Sequence, residues 1–280
     1  MFSGRSSRAA SDLAMYRARY PGQRDNPQAQ ANILFYTNRL RSQPDGDFID
    51  VIHAKWRGAY ELLESHHGYI QWLFPIREWG LNDDAQPLQQ HEVTTLSADP
   101  AAVARLKASF SMMLDFYGFQ LSYSAKTRRS GQWATDALSH GEHASRIPLE
   151  RTVPRISMNS ETCRHRFQNL CRRQHNFLRI TRILKCLGEF GLEHHKLAFL
   201  SALTEMACLQ PPYPLESTIG SLANFWIETV YDDTTRAEFL GILRAHTDRQ
   251  GRPNGALSGP PSPSALLASE RLLSIVEQYS

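Results

Sequence analysis

The sequence is short of cysteine, of net charge and of long apolar runs, and each shortage narrows what the chain can be. Its 280 residues include 4 cysteines, Cys163, Cys171, Cys186 and Cys208. They form no C-x-x-C pair, so a disulfide framework is excluded and free thiols are expected. No run approaches the roughly 20 apolar residues that span a bilayer. The best candidates, around Ile70 to Ile76 and Leu197 to Leu209, are too short or too polar. Residues 1–20 lack the apolar core of a signal peptide and are interrupted by Arg5, Arg8, Arg17 and Arg19, so the chain is read as soluble and not secreted. P-loop, G-x-G-x-x-G, G-x-S-x-G and H-E-x-x-H patterns are missing, and neither a cofactor nor a catalytic residue is expected. Strict alternation of apolar and polar residues is scarce, and no internal repeat is visible.

What is present is helical periodicity, on an apolar fraction of 41% that is ample for a folded core. Ala29, Ile33, Tyr36 and Leu40 share one helix face, closed by the Pro44-Asp45-Gly46 turn. Asp47 stands where an N-cap belongs, ahead of Phe48, Ile52, Trp56, Tyr60 and Leu63, which predicts one helix ending near His67-Gly68. The next segment, Tyr69 to Pro75, is either buried core or the lining of a groove. A short helix is expected after Pro87. Asp99-Pro100 then opens an amphipathic helix through Leu106, Phe110, Met113 and Tyr117 that stops at Gly118.

Residues 122–156 lose their apolar content and read as a flexible insert, which contains His140 and His143. From about Ser157 helices return, the clearest carrying Ile180, Ile183, Leu184 and Leu187 with Gly188 or Gly191 at its end. Further helices follow through Leu197 to Met206, through Leu222 to Val230, and after a cap at Thr234 or Thr235. Residues 247–264 read as a linker rich in Pro, Gly and Ser, and 265–280 as a short amphipathic helix that either docks or awaits a partner. The expected architecture is all-α: an N-terminal arm over 1–25, partly helical, one multi-helix domain over 26–246, the linker and the tethered helix.

The net charge of +3 conceals an uneven distribution. From Lys126 to Lys185 there are 13 bases against 4 acids, net +9, while the remainder is net −6. Arg164, Arg166, Arg172, Arg173, Arg179, Arg182 and Lys185 occur without an intervening acid. Such a block could hold a nucleic acid, an anionic surface or an acidic protein, or it could be an ordinary solvated helix face.

Three weaker patterns carry less. Glu64-x-x-His67 has di-iron spacing but no second copy. Cys163, His165, Cys171 and His175 depart from the usual zinc spacing, and no metal is expected. The Gly188–Gly191 turn between two helices suggests helix-turn-helix, yet its bases precede the turn rather than follow it.

Two stretches go further. FYTNRL with DFIDVIHAKWRGAYELLESHHGYIQWLFPIRE, from Phe35 to Glu78, and RFQNLCRRQHNFLRITRILKCLGEFGLEH, from Arg166 to His194, resemble the N-terminal region of the opioid growth factor receptor family. Weaker similarity runs through Leu114–Leu121 and Ser221–Asp232, so that the resemblance covers roughly residues 26–246. It implies a helical, non-catalytic domain of a regulatory protein associated with the nucleus and its envelope. It also implies the pentapeptide Met-enkephalin as ligand and a role in restraining cell growth. For such a peptide Trp56, Tyr69, Trp72 and Phe74 are the candidate groove residues, and the basic face, Arg164, Arg166, Arg172, Arg173, Arg179 and Arg182, would hold its carboxylate. The alternative is nucleic-acid or anionic-surface binding through the same arginines.

Overall fold

The computed structural model describes residues 6–125, 152–212, 214–250 and 263–279. His140, His143, most of the expected insert and residues 251–262 of the expected linker lie outside the described residues, while 247–250 and 263–264 at its two ends are helical. The secondary structure is mostly helical, with one small sheet.

Helix α1 (Ser7–Arg17) starts where the Ser6 hydroxyl accepts from the Ala9 N–H. In place of the expected arm, this segment buries Leu13 and Tyr16 against the domain. Tyr16 stacks on Tyr231 at 4.9 Å and donates to the Lys185 carbonyl. A Cβ on Gly188 would overlap that hydroxyl, so Gly188 is the seat of α1. Gly191, at φ +70°, makes the following turn.

Helices α2 (Ala31–Tyr36), α3 (Ile49–Trp56), α4 (Tyr60–Ser65) and α5 (Ile70–Leu73) follow. The single helix expected from Phe48 to His67 is in fact two. Arg57 turns extended and Gly58 takes φ +76°, a left-handed conformation that a residue with a side chain adopts only at a cost. The apolar spacing from Trp56 to Tyr60 and Leu63 carries across the break and hides it. Asp47 is not the expected cap: Phe48 holds the N-cap position of α3 with no side-chain cap, and the Asp47 carboxylate accepts only from the adjacent Phe48 N–H, outside the helix.

Helix α6 (Gln90–Ala98) supplies Glu92, which is fully buried and accepts from the backbone of Asn32 and Ile33 and from the side chains of Asn32 and Gln86. This carboxylate satisfies the N-terminal amides of α2, which its own N-cap, Gln30, leaves without a side-chain acceptor. Helix α7 (Pro100–Tyr117) is as read: Asp99 caps it, Pro100 occupies its first position and Gly118 ends it at φ +90°.

The ends of the expected insert are ordered strands. β1 (Phe119–Ala125) pairs antiparallel with β2 (Thr152–Met158), with Phe119 opposite Met158 and Tyr123 opposite Pro154. Phe119, Leu121 and Tyr123 alternate with Gln120, Ser122 and Ser124 over one short strand. That period-two signal is too short to stand out without its partner, which lies far along the chain.

Helices α8 (Cys163–Arg172), α9 (His175–Glu189) and α10 (Glu193–Thr204) come next, and α10 runs on into a wider π turn, Glu205–Leu209. Short turns through Glu216–Thr218, α11 (Ile219–Ser221), Leu222–Trp226 and Ile227–Thr229 lead to α12 (Asp233–Gln250). Its N-terminal amide at Thr235 is capped by Asp232 rather than by a threonine. The last helix, α13 (Pro263–Gln278), docks. It buries Leu272, Ile275 and Val276, and is tied by Arg155–Glu277 at 3.1 Å and by the paired hydroxyls of Thr235 and Tyr279.

The core is one continuous apolar cluster running from Phe35 on α2 to Val276 on α13. No described helix is long and apolar enough to cross a membrane.

Candidate functional site

One cleft of about 500 Å³ opens between α9 and the loop after α5. Ile70 and Ile76 form its apolar floor. Trp79 and Leu81 stand on one lip and Leu178 on the other, and they are 72%, 93% and 66% exposed. Large apolar side chains rarely cluster in the open on a lone soluble domain unless something covers them.

The lip is built rather than loose. The Gln71 side-chain amide donates to the Asn82 carbonyl at 2.8 Å and accepts from the Asn82 N–H at 3.0 Å. The Asn82 side chain in turn donates to the carbonyls of Gln43 and Gly68, at 2.6 and 3.0 Å. Gly80 packs on the same Gln71 amide, where a Cβ would collide.

The four rings expected to line a groove lie behind this cleft. Tyr69 and Phe74 are fully buried, and Trp72 and Trp56 nearly so. Tyr69 donates to the Leu63 carbonyl and the Trp72 indole to that of Gln43. Aromatic side chains bury large areas, and here they hold the segment carrying the lip instead of facing a ligand. Trp79, the ring that does face the cleft, was missed. Its signal was an apolar Trp79-Gly80-Leu81 set among Arg77, Glu78, Asn82 and Asp83, with no helical or strand period that would bury it.

The basic block divides. Arg164, Arg172 and Arg173 are exposed on and just beyond α8. Arg166 turns back over the rings of Tyr60 and Phe116 and donates to the Phe116 carbonyl at 2.7 Å. Arg179 donates to the carbonyls of Leu63, Glu64 and His66, at 2.8, 3.3 and 3.2 Å, where α4 ends. It thus satisfies the orphan carbonyls of that helix and places a cation at the negative end of its dipole.

Arg179 also donates to His67 Nδ1 at 3.0 Å. A guanidinium cannot accept, so His67 is the acceptor and carries its proton on Nε2 when neutral. Burial, then the charges of Arg179 and His175, push its pKa down. Lys185 pairs with both oxygens of Glu78, at 2.6 and 2.7 Å, and Glu78 also accepts from Tyr20.

Arg182 remains. Its Nε donates to the Phe74 carbonyl at 2.8 Å, and it has no ion pair among the described residues. Burial lowers its pKa to about 10, which leaves it charged at neutral pH.

Beside the cleft, Glu64 accepts from Asn169 at 2.5 Å and from Asn176, and lies 2.7 Å from His175 Nε2. Burial opposes the carboxylate here, yet the donors of Asn169 and Asn176 and the nearby His175 and Arg179 prevail, and its pKa falls. The Glu64-x-x-His67 pattern is therefore part of a packed network at the end of α4. Among the described residues no group of three or more His, Cys, Asp or Glu side chains is arranged to hold a metal. Cys163 and Cys171, from the weighed zinc set, are free thiols on α8.

A mostly helical domain with a small hairpin and, besides a more open groove between α12 and α13 around Gly241 and Leu267, a preformed cleft apolar at the rim and cationic in its wall is the class that fold and geometry define. The family described as opioid growth factor receptor (OGFr) conserved region matches residues 25–146 and 151–254, and the chain belongs to that family. It is 38% identical to the opioid growth factor receptor of Homo sapiens over 76% of its length, which is 28% of that relative. With opioid growth factor receptor-like protein 1 it shares 35% identity in Xenopus tropicalis, over 92% of this chain and 44% of the relative, and 34% in Mus musculus, over 86% and 46%. The chain thus spans less than half the length of these relatives. No solved structure matches it.

Proposed function

We propose that this chain is a non-catalytic peptide-binding domain of a regulatory protein, and that the cleft between α9 and the Trp79–Leu81 lip is its binding site. The observation carrying this reading is the lip itself: exposed Trp79, Leu81 and Leu178 lining one cleft with Arg182, which has no ion pair among the described residues. A volume of about 500 Å³ lies within the range of ligand pockets and suits a few residues of a peptide. A non-catalytic role is favoured because the acids and bases at and beside the cleft are committed to the fold: Glu78 to Lys185 and Tyr20, Glu64 to Asn169, Asn176 and His175, and His67 Nδ1 to Arg179. The names of the relatives make an opioid peptide the first ligand to try, and a growth-regulating role at or near the nucleus follows from kinship alone. Imaging of the tagged chain in cells checks the location.

Titration calorimetry with Met-enkephalin tests the site. Saturable heat in the micromolar range, weakened by about tenfold or more in Trp79→Ala, is the expected result, since burying a large apolar side chain is worth about 1.5–3 kcal/mol. Heat that never saturates removes the opioid peptide as ligand.

A second reading, binding of nucleic acid or an anionic surface, retains the exposed Arg164, Arg172 and Arg173. Three cations predict weak binding that falls steeply with salt.

A further inference from the structure

Of the seven cations between Arg164 and Lys185, Arg182 alone is brought into the cleft with no acceptor for its terminal nitrogens among the described residues. Arg179 is occupied by α4 and Lys185 by Glu78. The bond from Arg182 Nε to the Phe74 carbonyl fixes the guanidinium plane, which leaves its outer nitrogens to act as a two-pronged donor. A half-buried guanidinium gains more from an anion than a fully exposed one does.

We propose that the cleft recognises the free C-terminus of a peptide, with Arg182 binding the α-carboxylate and Trp79, Leu81 and Leu178 enclosing apolar side chains at that end. This rests on the reading of the cleft as a peptide site and specifies which part of the peptide it reads. A chain terminus fits because it carries a carboxylate and a side chain on the same carbon, and here cation and apolar rim line one cleft. A phosphate fits poorly: it brings close to two negative charges to a single unpaired cation. Glu78, already neutralised by Lys185, lies on the same wall and would repel the excess. An internal Asp or Glu offers a carboxylate without placing it beside a terminal apolar side chain.

The test uses calorimetry on the full chain with two sets of probes: Met-enkephalin, and pentapeptides ending in Met, Leu or Phe, each as the free acid and as the C-terminal amide. The free acids are expected to bind about tenfold or more tightly than the amides, as fits a charge-assisted pair. Arg182→Gln should lower the acids to the level of the amides and leave the amides unchanged. Arg182→Lys, which keeps the charge but not the fork, should fall between them. Thermal unfolding of both variants confirms that they fold. If acid and amide bind the wild type equally, or Arg182→Gln weakens both by the same factor, the carboxylate assignment is wrong while the peptide cleft stands. If no peptide of either kind binds, the peptide reading fails and this inference with it.

Discussion

Helices α8 and α9 carry the same kind of residue a few positions apart and use it differently: of the three arginines on α8 only Arg166 turns inward, whereas every cation on the inner turns of α9 does. On α8 the guanidinium groups of Arg164 and Arg172 stand in solvent, as does that of Arg173 just beyond it. On α9 Arg179, Arg182 and Lys185 turn inward, onto the end of α4, the Phe74 carbonyl and Glu78. The difference lies in what each helix packs against. α9 faces the end of α4 and the loop after α5, whose end-of-helix and loop carbonyls and Glu78 carboxylate need donors, and long cationic side chains reach them. A run of bases in sequence is therefore not a surface, and most of this one is internal scaffolding.

The sharpest way to break that contrast is to remove the scaffold. Arg179→Met leaves the carbonyls of Glu64 and His66 without this donor and that of Leu63 with Tyr69 alone, and should cost about 2 kcal/mol or more at roughly 1–3 kcal/mol per orphaned buried group. Urea denaturation reads the loss; a cost below 1 kcal/mol would show that the cap is dispensable. Gly188→Ala, also on α9, forces Tyr16 from its seat and should cost about 1–3 kcal/mol by overpacking, with α1 becoming the first segment to exchange its amides.

Acid sharpens the comparison differently. His195 on α10 is fully buried beside the Tyr123 hydroxyl, and burial lowers its pKa to about 2. In the unfolded chain it titrates near its ordinary value, so between these limits the unfolded state binds the extra proton. Stability present at pH 7 is then lost as pH falls below about 6.5, by up to about 1.4 kcal/mol per pH unit from this group. His195→Asn should flatten the pH dependence of the unfolding free energy, with the same substitution at exposed His165 on α8 as control. The smallest effect belongs to α8: Arg172→Gln should change stability by less than about 0.5 kcal/mol.

Much of this fold was legible. Asp99, Pro100 and Gly118 bound α7 as their chemistry requires, and the stripe of Ile180, Ile183, Leu184 and Leu187 is buried as spaced. The break at Gly58 was not, because the apolar spacing continues through it while one glycine changes the backbone. The hairpin was hidden because its strands meet only through tertiary pairing across a long polar stretch. At the site, Arg182 stood in the basic block from the start, but nothing in the spacing separates it from Arg179, one turn earlier. The lip was illegible for a related reason: Gln71 and Asn82 look like ordinary polar residues until they bond to each other and hold Trp79 outward.

The central claim is that ligand enters between α9 and that lip. Photo-crosslinking with a Met-enkephalin analogue bearing a diazirine on its last residue, followed by peptide mapping, tests it most directly. The account predicts adducts concentrated in residues 76–82 and 175–182, suppressed by excess unlabelled peptide. Competable adducts on the α12–α13 groove around Gly241 and Leu267, with none at the lip, would contradict it.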